Sequence, residues 1–278
     1  MHNTQTESKL AFLQQLELEA LTELKAYCDR HDIMFFLRGG SVMGAVKYSG
    51  FIPWDDDMDI AVPREGYDRL IALSEKEPFS ERFTLESYHF NPDIHCYFPR
   101  VLLKEEYRKQ YDLPKNNTMG LVLIDVLPLD GAPSGGIALK WYFFKVYAYR
   151  VLAALWTMDQ KETVNMHSRK QNALLKVLRG LQIRRLYTQE GIYKRLDRLY
   201  RKYNWKKSKM AGTITGSLRE KEIMPVSIWG NGVLHAFGAQ EFFIPSEYDA
   251  YLKRLYGEDY METLPSKEKR KSHMTKKL

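Results

Sequence analysis

Thirteen residues, GFIPWDDDMDIAV at 50–62, constrain this chain more than any other stretch. Asp55, Asp56, Asp57 and Asp59 crowd together there, with apolar residues on both sides. Carboxylates this close repel, and burying one costs on the order of several kcal/mol unless a partner or a cation offsets it. Met58 to Val62 alternates around Asp59, which predicts a strand. Residues i and i+2 of a strand share a face, so Asp57 and Asp59 are expected side by side with Met58 turned to the core. Asp55 and Asp56 are expected in a solvated loop ahead of that strand.

Just upstream stands Arg38-Gly39-Gly40-Ser41, a turn between an apolar β-prone run at 33–37 and a short helix from Val42 to Tyr48. Glycines let a backbone approach an anion closely, and amides at a helix N-terminus point toward it. The Ser41 hydroxyl adds a donor. A phosphate cradle beside a carboxylate pair suits a hard divalent cation, because Mg²⁺ typically takes one or two carboxylates plus phosphate oxygens. The combination points to metal-assisted transfer of a phosphorus group. A third carboxylate commonly completes such a site. Asp125 is the candidate, since Leu121 to Leu127 is otherwise wholly apolar, is predicted to be a central strand, and leaves that carboxylate in need of a partner. A calcium loop of the EF-hand type is excluded by the missing glycine and terminal glutamate.

Several neighbours have two readings each. Lys47 is either a donor-phosphate contact or a solvated helix lysine. Trp54 either stacks on a nucleobase or quaternary ammonium, or packs behind the aspartate loop. Arg100, on the strand predicted at 97–103, either neutralises a diphosphate or lies on the surface.

Around this centre, residues 8–31 predict an amphipathic helix with Leu10, Leu13, Ala20, Leu21, Leu24, Tyr27 and Cys28 on one face. Pro63 starts a helix running to about Lys76. The Gly- and Pro-rich loop at 130–136 sets the boundary of a catalytic core at 1–136. Residues 137–210 form a basic helical region. Residues 211–278 form a C-terminal segment that returns to the core through a helix at 248–255 and ends in a basic tail.

Charge is unevenly spread. Residues 161–209 hold 15 Lys and Arg against 3 Asp and Glu, leaving 27 of 42 basic and 32 of 35 acidic residues elsewhere. That basic stretch suits peripheral contact with an anionic membrane, a polyanionic acceptor, or simply solvent. No nucleic-acid-binding motif accompanies it, so nucleic acid is not expected as a partner. The 2 cysteines cannot form a disulfide framework and fit a reducing compartment. The N-terminus lacks the apolar core of a signal peptide, so a cytoplasmic place is expected. The longest apolar stretch, 137–158, is broken by Lys140, Lys145 and Arg150. On a helix these point in different directions, which argues against lipid on any side.

The run from Phe36 to Val62, with GGS followed by GAVKYSGFIPWDDDMDI, resembles the signature of the LicD family of the nucleotidyltransferase-fold superfamily, which also includes the fukutin-related proteins. GLVLIDVLPLDGAP (120–133), YLKRLYGEDYMETLP (251–265) and KEKRKSH (267–273) are similar to later family segments. Val42-Met43 departs from an expected Leu-Leu pair, a packing change. The middle, about 137–210, resembles nothing further. The resemblance implies an α+β fold: a nucleotidyltransferase-like mixed β-sheet core flanked by helices, with the basic helices as an insertion. It implies transfer of a phosphorylated alcohol from a CDP-activated donor to a glycan hydroxyl, with release of CMP. Phosphocholine from CDP-choline is the best-known case, placed on teichoic acid or lipopolysaccharide sugars. CDP-ribitol or related donors, nucleotidyl transfer, and a non-catalytic binding module are the alternatives.

By motif, the resemblance implies that Gly39, Gly40 and Ser41 contact phosphate and that Asp57 and Asp59 bind Mg²⁺, or Mn²⁺ in its place; Arg38 beside them is also expected to bind substrate. The resemblance sets Asp55 beside the metal and makes Asp125 catalytic with Asp57 and Asp59. The acceptor it implies is a glycan or lipid-linked glycan met at the inner membrane face.

Overall fold

The computed structural model describes residues 2–157 and 169–263. The long apolar strand β5 needs neighbours on both edges, and the sheet supplies them. Seven strands are joined: β1 (Phe36–Leu37), β2 (Met58–Pro63), β3 (Phe83–Glu86), β4 (Arg100–Leu103), β5 (Leu121–Ala132), β6 (Met210–Gly212) and β7 (Met224–Pro225). Their order is β1-β2-β5-β4-β3, with β6 pairing the far end of β5 and β7 pairing β6. β2 and β5 run parallel, and the other pairs are antiparallel, so the sheet is mixed. A separate hairpin joins β8 (Val233–Phe237) to β9 (Gln240–Ile244).

Helices cover this sheet: α1 (His2–Arg30), α2 (Gly40–Tyr48), α3 (Arg64–Ser74), α4 (Glu105–Gln110), α5 (Gly136–Thr157), α6 (Arg169–Gly180), α7 (Gln189–Tyr200), α8 (Val226–Trp229) and α9 (Tyr248–Tyr256). The architecture is α+β, as expected. No helix among the described residues is long and apolar enough to cross a membrane.

Apolar burial falls into two clusters. The larger joins α1, α2, α3 and the sheet to α9, with Leu24, Phe36, Ile60, Ile124, Trp229 and Tyr251 at its centre. The smaller lies under α5 and α7, where Tyr142, Phe143, Val146, Tyr193 and Tyr200 meet Cys96 and Phe98. Buried guanidinium groups tie the helices to the sheet. Arg64 grips Asp130 of β5 through Nε (2.7 Å) and Nη2 (2.5 Å), and reaches Asp197 of α7 through Nη1 (2.9 Å). Arg150 of α5 turns inward to the carbonyls of Ile214 and Thr215.

Some expected boundaries shift. The strand expected at 33–37 narrows to Phe36–Leu37, because only this pair finds a ladder, with Ala61 and Ile60. The helix expected from 8 begins at His2, and that expected through Lys76 ends at Ser74. The Lys-rich tail beyond 263 lies outside the described residues.

The tight return after α2 brings that helix against the acidic loop. A Cβ on Gly44 would lie 2.4 Å from the Gly50 carbonyl oxygen and 3.3 Å from the Ile52 amide. Glycine to alanine inside a helix normally gains about 1 kcal/mol. Here the backbone clash reverses the sign: Gly44→Ala is expected to lose about 2 kcal/mol, in line with overpacking costs. Chemical denaturation reads this directly, and a stabilised Gly44→Ala protein would contradict the packing.

Candidate active site

β1 ends at Leu37, and Arg38 turns back into the protein with its side chain 3% exposed. Its Nη1 meets Asp59 Oδ2 at 2.5 Å and its Nη2 meets Glu222 Oε2 at 2.6 Å. Its Nε donates to Thr213 Oγ1 (2.7 Å) and to Glu222 Oε1 (2.8 Å). Burial alone would lower the guanidinium's pKa, but Glu222 and Asp59 more than offset this and hold it above the usual range. Arg38 was expected to contact substrate. Each of its three guanidinium nitrogens bonds within the protein, and through Nη1 it positions Asp59.

Gly39 follows with φ 55°, a left-handed conformation that glycine adopts without strain. Its amide donates to the Tyr251 hydroxyl at 2.9 Å, and that hydroxyl donates to Glu222 Oε1 at 3.1 Å. The Ser41 amide bonds the Arg38 carbonyl, and the Ser41 hydroxyl accepts from the Asp59 amide at 3.1 Å. Two of the three amides expected to cradle phosphate are therefore engaged within the chain, and Ser41 anchors β2.

The acids lie around the first turn of α2. A Cβ on Gly40 would sit 3.0 Å from Asp55 Oδ2, and one on Gly39 would sit 3.9 Å from Asp59 Oδ2. β2 begins only at Met58, so Asp57 stands just outside it and is exposed. Asp56 was expected in solvent but is 3% exposed, and Asp55 is half-buried. The loop is held down by Gln14 of α1, whose amide donates to the carbonyls of Asp55 (2.8 Å) and Ile52 (3.3 Å). That anchoring draws Asp56 inward.

One carboxylate oxygen from each of Asp55, Asp56 and Asp57 lies within 4.8 Å of the others. Three hard oxygen donors so close suit a cation such as Mg²⁺ or Mn²⁺. The expected trio was Asp55, Asp57 and Asp59. Asp56 replaces Asp59 in the tight cluster, because Arg38 draws the Asp59 carboxylate aside.

Across the sheet, Asp59 is in register with Asp125 of β5, and Asp125 with Arg100 of β4. The Arg100 Nε lies 2.9 Å from Asp125 Oδ1, giving Asp125 the partner its apolar strand demands. Lost solvation pushes Asp59 up to about 7; Arg38 opposes this, while Asp125, Asp57 and Glu222 add to it. Desolvation likewise raises Asp55, with Asp57 relieving part of the rise by hydrogen bonding.

The remaining candidates sit at the rim. Lys47 donates to the carbonyls of Tyr260 (3.2 Å) and Thr263 (3.3 Å), fastening the C-terminal segment over α2. Trp54 is half-buried with its ring edge-on to Tyr48, centroids 6.2 Å apart.

Glu222, Thr213 and Tyr251 escaped the sequence analysis, since nothing local in the REKEIM segment marks burial. Glu17 also escaped, although its signal was present: it fills the gap between Leu13 and Ala20 on the apolar face of α1. Its carboxyl is wholly buried, and neither oxygen has a hydrogen-bond partner. Burial raises its pKa well above the ordinary 4.5, and Asp57, Asp56 and Asp55 add to the shift.

Residues 32–121 match the family model described as LicD/FKTN/FKRP, nucleotidyltransferase domain. Over 259 residues the chain is 26% identical to the lipopolysaccharide cholinephosphotransferase LicD of Haemophilus influenzae, covering 92% of each chain.

Because Glu17 binds a proton more tightly folded than unfolded, its contribution to stability falls as pH rises above about 4.5. Glu17→Gln removes that loss. The melting temperature of the variant, measured without divalent cations, should exceed that of the parent at neutral pH. The gap should shrink toward acid, and a gap independent of pH would show that Glu17 is not the source.

Proposed function

We propose that this chain, a LicD-type phosphotransferase by its match to the family model and its likeness to the LicD relative, moves phosphocholine from CDP-choline to a hydroxyl of a lipopolysaccharide- or teichoic-acid-type glycan, releasing CMP. The relative's cholinephosphotransfer to lipopolysaccharide supports this choice of donor and acceptor. The observation that carries it is the convergence of Asp55, Asp56 and Asp57 beside the first turn of α2, with Asp59 and Asp125 in register alongside.

Asp55 and Asp57, with Asp56 or Asp59, would hold the divalent cation, Mg²⁺ or Mn²⁺. Such a cation neutralises diphosphate charge and orients the leaving group. The amide end of α2 around Gly40 faces the diphosphate. The acceptor hydroxyl oxygen bonds to the phosphorus distal to cytidine, and Asp125 takes its proton. The bond from that phosphorus to the bridging oxygen breaks, and CMP leaves with the electron pair. Arg100 keeps Asp125 in place, and Trp54 offers an aromatic face to the choline ammonium. A lipid-linked acceptor would be met at the inner membrane face, where the basic stretch 161–209, with Lys176, Arg184 and Arg185 exposed, faces anionic groups.

Two measurements test this. Asp57→Asn and Asp125→Asn should each slow CMP release from CDP-choline by roughly a hundredfold or more, the scale of losing a catalytic group. Near-parental turnover in Asp57→Asn would refute the mechanism. Labelling both phosphates of the donor should place only the distal one in the product, whereas retention of cytidine there would mean nucleotidyl transfer.

A third measurement uses pH. Asp59 holds a proton up to about pH 7 in the metal-free protein, so a cation must displace it below that point. The rise in melting temperature given by Mg²⁺ is therefore expected to be small near pH 5.5 and larger near pH 8, about a unit on either side of the titration. A rise that is flat across this range would remove Asp59 from the cation's surroundings.

A further inference from the structure

We propose that the outer face of α5 is a docking surface for an anionic lipid bilayer. This helix, GIALKWYFFKVYAYRVLAALWT, contains no acidic residue. Its inner face is used: Tyr142, Phe143 and Val146 are buried in the smaller core. Its outer face is not. Ile137 is 77% exposed, Trp141 59% and Phe144 61%, and the Trp141 and Phe144 rings stand edge-to-face with centroids 5.4 Å apart. At 3.6 residues per turn, positions 137, 141, 144 and 148 form one stripe. Lys140 and Lys145, both exposed, fall on either side of it.

Single exposed apolar residues are ordinary on a protein surface, but a stripe of large ones on one helix marks a surface for interaction. A tryptophan and a phenylalanine between lysines match the interface of a bilayer. There the rings enter at the headgroup level and the lysine stems reach out to lipid phosphates.

Other occupants fit less well. The C-terminal tail carries Lys267, Lys269, Arg270, Lys271, Lys276 and Lys277 against Glu268 alone, so it would meet the lysines with like charge. A second copy laid face to face would set lysines against lysines. The sequence had Lys140, Lys145 and Arg150 pointing in different directions, which left lipid no side of the helix. Folding removes that obstacle, because Arg150 is turned inward to the carbonyls of Ile214 and Thr215 and lies over the Tyr97 ring. The helix lies on the membrane surface rather than crossing it.

Flotation of the full-length protein with vesicles tests this. The parent should float with phosphatidylcholine–phosphatidylglycerol vesicles at roughly a 3:1 ratio, and much less with pure phosphatidylcholine. The pair Trp141→Gln with Phe144→Gln, and the pair Lys140→Glu with Lys145→Glu, should each weaken that partitioning about tenfold while keeping the parental melting temperature. Loss of Trp141 removes the reporter from the apolar pair, so the blue shift that anionic vesicles cause in the parent should be absent from that pair.

The proposal is overturned if the parent ignores anionic vesicles, if either pair binds as the parent does, or if pure phosphatidylcholine serves equally well. It is also overturned if the parent is a dimer that Trp141→Gln with Phe144→Gln separates, since the stripe would then be an interface between copies. None of these readouts involves the donor, so docking stands or falls apart from the transferase function.

Discussion

The buried guanidinium of Arg38 is the constraint on which the site depends. It reaches Asp59 at the start of β2 and Glu222 and Thr213 in the C-terminal segment. Arg38 thus bonds to residues 175 and 184 positions further along the chain. A buried ion pair adds little net stability, because desolvation cancels most of the attraction. Its effect here is positional. Removing Arg38 would leave the Glu222 carboxyl wholly buried and without its cation, so each partner fixes the other's place. Tyr251 extends the hub by joining Glu222 to the Gly39 amide, which sets the entry into α2.

Around that hub carboxyl groups gather. Asp55, Asp56 and Asp57 converge, Asp59 is only partly compensated, and Glu17 lies buried nearby with no partner. The backbone bears this tension because it is pinned on two sides. Gln14 holds the loop from α1, and the Ser41 hydroxyl holds the Asp59 amide from α2. Under the proposed function, a cation and a diphosphate would relieve the repulsion among these acids.

The basic helical region is joined to this centre by charge as well as by packing. Arg64 connects α3, β5 and α7, and Arg201 adds contacts to Asp68 and Asp197. Within the described part of the basic stretch, Arg201 thus spends its charge on Asp68 and Asp197. Lys176, Arg184, Arg185, Lys194 and Arg195 of the same stretch are exposed, and next to it α5 shows an aromatic stripe between two lysines.

The amino-acid sequence alone determined the local parts. The period of Leu10 to Cys28 specified α1, the alternation after Met58 specified β2, and the apolar run with one aspartate specified β5 as a central strand. The motif from Gly39 to Asp59 marked the chemistry, because those residue types at that spacing carry their meaning along a single stretch of chain. Burial within that stretch was not legible. Asp56 sinks because Gln14 holds the loop from another helix, Asp59 leaves the tight carboxylate cluster because Arg38 draws it aside, and Arg38 turns inward because Glu222 waits there. Those outcomes depend on contacts between segments that only the folded chain brings together. Short-range periodicity reports which face of an element is apolar, but it does not report which distant charge will meet it.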